Sequence, residues 1–495
     1  NLLDRQDYLI QPDGFNIPYD AEKIHGISTE LALEKGYPLA EILEKFKEAL
    51  ARTKFVVGQN VGFDINIMGA EFHRANLKTL LGELPVLDTC TEHTATLCAL
   101  PGGRGGKFKL PTLTELHQHL FNTPFEEAHN ATADVEATTR CFLELIRRKL
   151  YTKGQLDVQP DYFEKFTEAN PQEIQLIGLK HINLKKASEK IAKNLHNLDV
   201  TEVSEEDLYK NIKSLEDAEF IHLHNHSQFS VLQSTIKIKD LVAIASENRM
   251  PAVALTDHAN MMGAFHFVKE VNAHNKMVEE TAAGEAENED AIPRNIIKPI
   301  IGCEFFVCDD HTNKNVKDYG YQMVLLAKNK NGYHNLAKMS SIAYTDGFYY
   351  VPRIDKNIVS QYKDDIIVLS GNLYGEVASK ILNIGENQAE EALLWWKKMF
   401  KDDFYIEIMR HGQEDEERAN KVLVEFAKKH QVKLVATNNT YYCAKEDANA
   451  HDILLCVKDG EKQATPIGRG RGYRYGLPNQ EYYFKSGSEM KELFK

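Results

Sequence analysis

Three observations predict an α/β protein in three regions. From residue 218 onward, apolar β-prone runs alternate with helix-prone stretches, and seven such strands can be counted. Residues 1 to about 150 mix short strands with helices and close on a strongly periodic helix. Between them, residues 151–217 are rich in Lys, Glu and Asn and poor in apolar side chains, as in "LKKASEKIAKNLHNL". The repeat points to a parallel sheet closed as a seven-stranded β/α barrel over 218–495. The first region (1–150) reads as a mixed sheet with helices, and 151–217 as a linker with short helices. A chain of 495 residues is too long for one core, which fits this division.

The barrel strands are "FIHLHNH" (220–226), "AVALT" (252–256), "IIGCEFFV" (300–307), "QMVLLA" (322–327), "IIVLS" (366–370), "FYIEIM" (404–409) and "VKLVAT" (432–437). Helices are expected at 238–248, 263–277, 388–400 and 414–430. The acidic, low-complexity stretch 279–293 reads as a solvated insertion. "GRGRGYRYG" (468–476) reads as an exposed loop, and "GGRGGKFK" (102–109) as a flexible basic one, since it lacks the ending of a phosphate-binding loop.

The net charge of −14 excludes a wholly basic nucleic-acid coat but not a nuclease, whose site must attract cations. The apolar runs are far short of a membrane span, so no membrane partner is expected. Seven scattered cysteines without a CxxC pair fit reduced cytoplasmic thiols. The chain opens on Asn1 inside a strand-like pattern and reads as a fragment whose start lies upstream.

Two constellations carry chemistry. In the first region, "VVGQNVGFDINIM" (56–68) brings a buried strand to a turn and presents Asp64. "EEAHNATADVEATTRCFLEL" (126–145) starts a helix near Asn130 or Thr132, with Ala133, Ala137, Cys141 and Leu145 as its buried stripe. Asp134 then falls in the first turn, where the helix dipole favours a carboxylate. His129, five residues earlier, must belong to the entering loop. Carboxylates with a loop histidine suit two-metal phosphodiester hydrolysis, in which hard oxygen ligands select Mg²⁺ or Mn²⁺.

In the third region His222, His224 and His226 alternate along one strand, so their imidazoles share a face. His224 and His226 close strand one, "TDH" (256–258) closes strand two, and Glu304 lies in strand three. The C-terminal strand ends of such barrels gather functional groups, and three imidazoles with a carboxylate could bind Zn²⁺. Asp257 is placed to orient the His258 ring.

Residues 1–150 resemble the DEDDh family of 3′–5′ proofreading exonucleases, whose fold is ribonuclease-H-like, through "AEKIHGIST" (21–29), "VGQNVGFD", "LDT" (87–89) and "AHNATADVEAT". The resemblance implies Asp64 and Asp134 as metal ligands and His129 as general base. It also implies that His25, Gly26, Ile27, Asn60 and Phe63 receive the 3′-terminal nucleotide. The family's first motif, Asp-x-Glu, has no counterpart ahead of "YLIQP", so the intact protein is expected to be an exonuclease and this fragment inactive.

Residues 218–495 closely resemble the PHP domain at the start of bacterial replicative polymerase alpha subunits, through "FIHLHNHSQFSVL", "ALTDHANMMGAFHF", "PIIGCEFFV", "GFYYVPRID", "ATNNTYY" and "EYYFKSGSEM". In members that keep a metal cluster the resemblance implies ligands at His224, His226, His258 and Glu304. It also implies ligands where this chain has Gln233, Gln322, Asn372, Asn439 and Tyr441. Amides neutralise no cation, so the cluster is expected to be degenerate, with neutral side chains bonded to one another and room for one residual Zn²⁺. The combined expectation is a replicative DNA polymerase with a fused exonuclease. Its partners would be the DNA primer 3′ end, a sliding clamp and other replisome subunits. The alternatives are a non-catalytic scaffold that binds DNA ends, and an active PHP phosphoesterase. "QLIGL" (175–179) faintly resembles a clamp-binding pentapeptide, with an amphipathic linker helix as the plainer explanation.

Overall fold

A computed structural model of the chain describes residues 4–101, 107–125, 130–178, 183–199, 210, 213–215, 218–282, 295–468 and 473–495. It divides into two compact units, Asn1–Val200 and Thr201–Lys495. The expected insertion at 279–293 lies largely outside the described residues, as does all of "GGRGG" (102–106).

In the first unit, strands β1 (Val56–Gly58) and β2 (Val86–Asp88) run parallel with Val56 opposite Val86. This pair represents the expected mixed sheet among the described residues. Helix Gly62–Arg74 follows β1. Helix Ala131–Arg147 starts where Asn130 caps it: the Asn130 side chain accepts from the backbone N–H groups of Thr132 and Ala133. Its buried stripe is Ala133, Ala137, Cys141, Leu145 and Ile146. Much of the segment expected as linker packs onto this unit. Leu156 and Phe163 join Leu87 and Ile146 in one apolar cluster. Arg140 Nε donates to the Ile174 carbonyl at 2.7 Å, and the buried Glu144 carboxylate accepts from Arg147, Arg148 and the Ile174 N–H. Residues 175–178 form no helix, in contrast to the amphipathic helix expected for "QLIGL". Gly178 N–H donates to Glu136 there, a bond that a continuing helix would spend internally.

The second unit is built on seven strands: β3 (Ala252–Leu255), β4 (Lys298–Cys308), β5 (Tyr321–Ala327), β6 (Arg353–Asp355), β7 (Ile366–Leu369), β8 (Phe404–Ile408) and β9 (Lys433–Ala436). The order is β3-β4-β5-β7-β8-β9, with β6 beside β4. The expected parallel sheet is corrected to a mixed one, because β5 is antiparallel to both β4 and β7. Only polar loop sequence separates β4 from β5, so no crossover helix returns the chain for a parallel pairing. The first expected strand, 220–226, is extended but forms no ladder of its own. Its backbone joins the two ends of the curl: Ala254 and Thr256 donate to His222 and Asn225 on one side, and His226 donates to Thr440 on the other. Helices Ile238–Glu247, Ala264–Ala282, Glu386–Phe400 and Glu414–His430 occur where the periodicity placed them. The "GRGRGYRYG" loop is corrected in part, since Arg474 is buried and clamps Asp452 through two nitrogens at 2.7 and 2.9 Å. Residues 469–472 lie outside the described residues.

Outside the strands, Glu376 organises the helical layer. Its carboxylate accepts from Lys356, Lys380 and the fully buried Trp396 indole, each at 2.7 Å. Burial alone would raise its pKa, but the two ammonium groups hold it below the ordinary value. A depressed carboxylate contributes stability that is present above the unfolded glutamate pKa of about 4.3 and lost as pH falls toward the lower folded value. Glu376→Gln leaves both lysines partly buried without a counter-charge and should cost about 3 kcal/mol. Urea unfolding at pH 7 and at pH 3.5 checks this, with the deficit shrinking at the lower pH.

Candidate functional site

In the first unit Asp64 and Asp88 lie close enough to interact, at or beyond the ends of β1 and β2. Asp88, the last residue of β2, accepts from the backbone N–H groups of Asn60 (2.8 Å), Val61 (3.1 Å) and Cys90 (2.7 Å). That anion fixes the turn before helix Gly62–Arg74 and holds Asn60 at a φ of 55°, a left-handed value that asparagine tolerates. Asp64 sits in the first turn of the same helix, exposed to solvent. Its pKa is raised, first by partial burial and then by the negative charge of Asp88. Phe63 beside it is 65% exposed, an aromatic face open to a base. Asp134 occupies the first turn of helix Ala131–Arg147. His129 lies outside the described residues. His25 ends helix Tyr19–His25, Gly26 caps it at a φ of 74°, and the Ile27 N–H donates to His25 Nδ1 at 3.0 Å. Burial lowers the pKa of His25.

In the second unit Glu304, fully buried on β4, is the hub. His224 Nε2 lies 3.2 Å from Glu304 Oε1, and His226 Nε2 lies 2.9 Å from Oε2. Ligand atoms of these three residues fall within 4.8 Å of one another. His258 Nδ1 is 2.6 Å from Glu304 Oε2 yet lacks the direction of a hydrogen bond. His222, expected on the same face, is instead structural: its Nε2 bonds the Lys485 carbonyl at 2.7 Å and its ring packs on Phe484.

The buried carboxylates set the charge of these rings. Burial opposes a charge on His224, but Glu407 and Glu304 on its two sides outweigh it and raise the pKa to about 10. Its Nδ1 donates to Glu407 Oε1 at 2.9 Å. Burial, reinforced by the neighbouring His258, drives His226 down to about 3 and keeps it neutral. Glu304, flanked by these rings, stays ionised well below the usual range despite its burial.

The amides behave partly as expected. Asn372 Nδ2 donates to Gln322 Oε1 at 2.9 Å and to Glu304 Oε1 at 3.3 Å, while Asn439 reaches the Tyr441 hydroxyl at 3.4 Å. The turn that aims Asn372 requires Gly371, whose φ is 82° and whose Cβ would stand 2.1 Å from the Gln322 carbonyl. Tyr441 stacks on His226 with the rings 4.4 Å apart. Among the described residues the Gln233 side chain makes no hydrogen bond, and its carbonyl accepts from His451. Asp257 does not reach the His258 ring. Its carboxylate accepts from Ser227 N–H, Ser227 Oγ and Ser230 Oγ, and Ser230 Oγ in turn accepts the His258 N–H.

Two participants escaped the sequence reading. Glu407 is the lone carboxylate within the apolar alternation of "FYIEIM", a signal that could have marked it. His411 donates from Nδ1 to Glu416 at 2.6 Å and accepts the Asn439 N–H at Nε2, so its neutral tautomer is fixed. With Gln322, Asn372, Asn439 and Tyr441 it borders a cavity of about 60 Å³. Among the described residues, Glu407 Oε2 and Asn439 Oδ1 are buried without a hydrogen-bond partner.

Comparison with known proteins follows this geometry. Residues 222–411 match the PHP domain family, and residues 3–142 match an exonuclease family. The chain thus combines an exonuclease-family domain with a PHP domain in a β/α barrel. It is similar to the DNA polymerase III subunit alpha of Borreliella burgdorferi, with 39% identity over 281 residues, 56% of this chain and 22% of that protein. The corresponding subunits of Chlamydia trachomatis and Thermus aquaticus are each 36% identical, over 56% and 55% of this chain and 23% and 21% of their own lengths. The chain therefore spans about a fifth of the length of the curated relatives it matches. No described helix is long and apolar enough to cross a membrane.

Asp257→Asn replaces one of the two accepting oxygens with an amide donor and should lower the unfolding midpoint by several degrees while shifting His258. Differential scanning calorimetry checks the midpoint, and the His258 ring signals in an NMR spectrum check the displacement.

Proposed function

We propose that this chain is part of a bacterial replicative DNA polymerase of the DNA polymerase III alpha type, carrying its 3′–5′ proofreading exonuclease in the same polypeptide. The observation that carries this reading is the succession of an exonuclease-family domain and a PHP domain similar to alpha subunits. Joining the two activities gives a frayed primer end a high local concentration of nuclease.

In the exonuclease unit Asp64 and Asp134 would hold Mg²⁺ or Mn²⁺, and His129 would deprotonate the attacking water. The crowding of Asp64 by Asp88 supports a cation there, because a divalent ion relieves such repulsion. His25, Gly26, Ile27, Asn60 and Phe63 would receive the terminal nucleotide. Asp64 and Asp134 alone are too few carboxylates for two metals, and no Asp-x-Glu precedes "YLIQP". Residues 1–495 by themselves should therefore leave a labelled primer intact in Mg²⁺. Magnesium-dependent shortening from the 3′ end would overturn that expectation.

The barrel is read as structural. His224, His226 and Glu304 fit one ion such as Zn²⁺, but the neutral groups at Gln322, Asn372 and Asn439 cannot compensate a cluster. Elemental analysis of the purified chain should find no more than one ion per molecule at this site, and His224→Ala should abolish it. Two or more stoichiometric ions would favour an active phosphoesterase instead. A sliding clamp is the proposed partner of "QLIGL", whose Leu176 and Ile177 are exposed outside any helix.

A further inference from the structure

Helix Leu184–Asp199 lies beyond the exonuclease-family match, yet it is built into the loop that ends helix Tyr19–His25. Ser188, 6% exposed, spans that loop with one hydroxyl. It donates to the Gly26 carbonyl at 2.7 Å and accepts the Ser28 N–H at 3.0 Å. Ser28 is thereby free to turn its own side chain to the Leu31 N–H and cap the next helix. The approach is close: a Cβ on Gly26 would stand 2.8 Å from Lys185 N and 3.1 Å from Lys185 Cβ. Lys185 therefore begins its side chain against Gly26, is exposed, and forms no ion pair among the described residues. Lys186 and Lys190 are exposed on the same helix. A phosphate strand entering at His25–Ile27 would pass a fixed loop with an unneutralised cation at its edge.

We infer that this helix is an added wall of the exonuclease's DNA entrance, in which Ser188 is a positioning residue for the Gly26–Ser28 loop and Lys185 meets a backbone phosphate of the single strand near its 3′ end. The inference rests on the proposed exonuclease reading. Its partner is single-stranded DNA, since an uncompensated lysine beside a nucleotide-receiving loop matches a phosphate and offers nothing to an apolar partner.

The test is fluorescence anisotropy on the 495-residue chain with Ca²⁺ in place of Mg²⁺, comparing a linear 3′-hydroxyl oligonucleotide with a closed circle of equal length. Wild type is expected to prefer the linear strand. Lys185→Gln should weaken linear binding about three- to ten-fold and reduce the salt slope by about 0.7, the value for one single-strand phosphate contact. Its thermal midpoint should not move. Ser188→Ala should reduce the preference for the linear strand, and Ser188→Thr, which keeps the hydroxyl, should restore it. A wild-type preference that neither Lys185→Gln nor Ser188→Ala alters would overturn the inference and leave the exonuclease reading standing. Absence of any wild-type preference for an end would overturn both.

Discussion

One buried carboxylate, Glu304, sets the interior of the barrel. A bare carboxylate far from water is untenable unless its charge is answered nearby. Here the answer comes from His224, His226 and His258 on one side and the Asn372 amide on the other. Its backbone is equally committed: Glu304 N–H donates to Asp257 O, and its carbonyl accepts from Ala259. The segment bearing His258 is thus tied to β4 at the same place where its ring meets the carboxylate.

From that constraint the rest of the pocket follows. His224 acquires a positive charge between Glu304 and Glu407, so a proton supplies part of what a metal would supply in a complete cluster. Glu407 is held in turn by the Thr437 hydroxyl and by His224. Neutral amides complete the ring, which explains how a site short of anionic ligands keeps its shape. The first unit shows the opposite economy. Asp88 spends its charge on backbone N–H groups to shape a turn, while Asp64 remains exposed in an environment that resists its ionisation.

The two regions also divide the labour of stability and chemistry differently. The barrel buries its functional polar groups and leaves some of their atoms, such as Glu407 Oε2 and Asn439 Oδ1, without a partner, whereas the exonuclease unit leaves Asp64 and Phe63 at the surface. The segment expected as a linker contributes to the latter, since Phe163 fills a core and Ser188 braces a loop. Low apolar content concealed this, because a helix can dock through one serine and a few small side chains.

The alternation of apolar residues determined six of the barrel's strands and four of its helices but not β6, and Asn130 determined where helix Ala131–Arg147 begins. These are local properties, decided by side chains within a few positions of one another. Strand direction was not local: β5 turns antiparallel because no crossover helix separates it from β4. Nor did a period of two distinguish His222, which faces Lys485 and Phe484, from His224 and His226, which face Glu304. Residues lying 78 to 263 positions apart made that choice. The sequence by itself determined which groups were available, while tertiary structure decided which of them meet, because electrostatic compensation of a buried charge depends on distances the linear order does not contain.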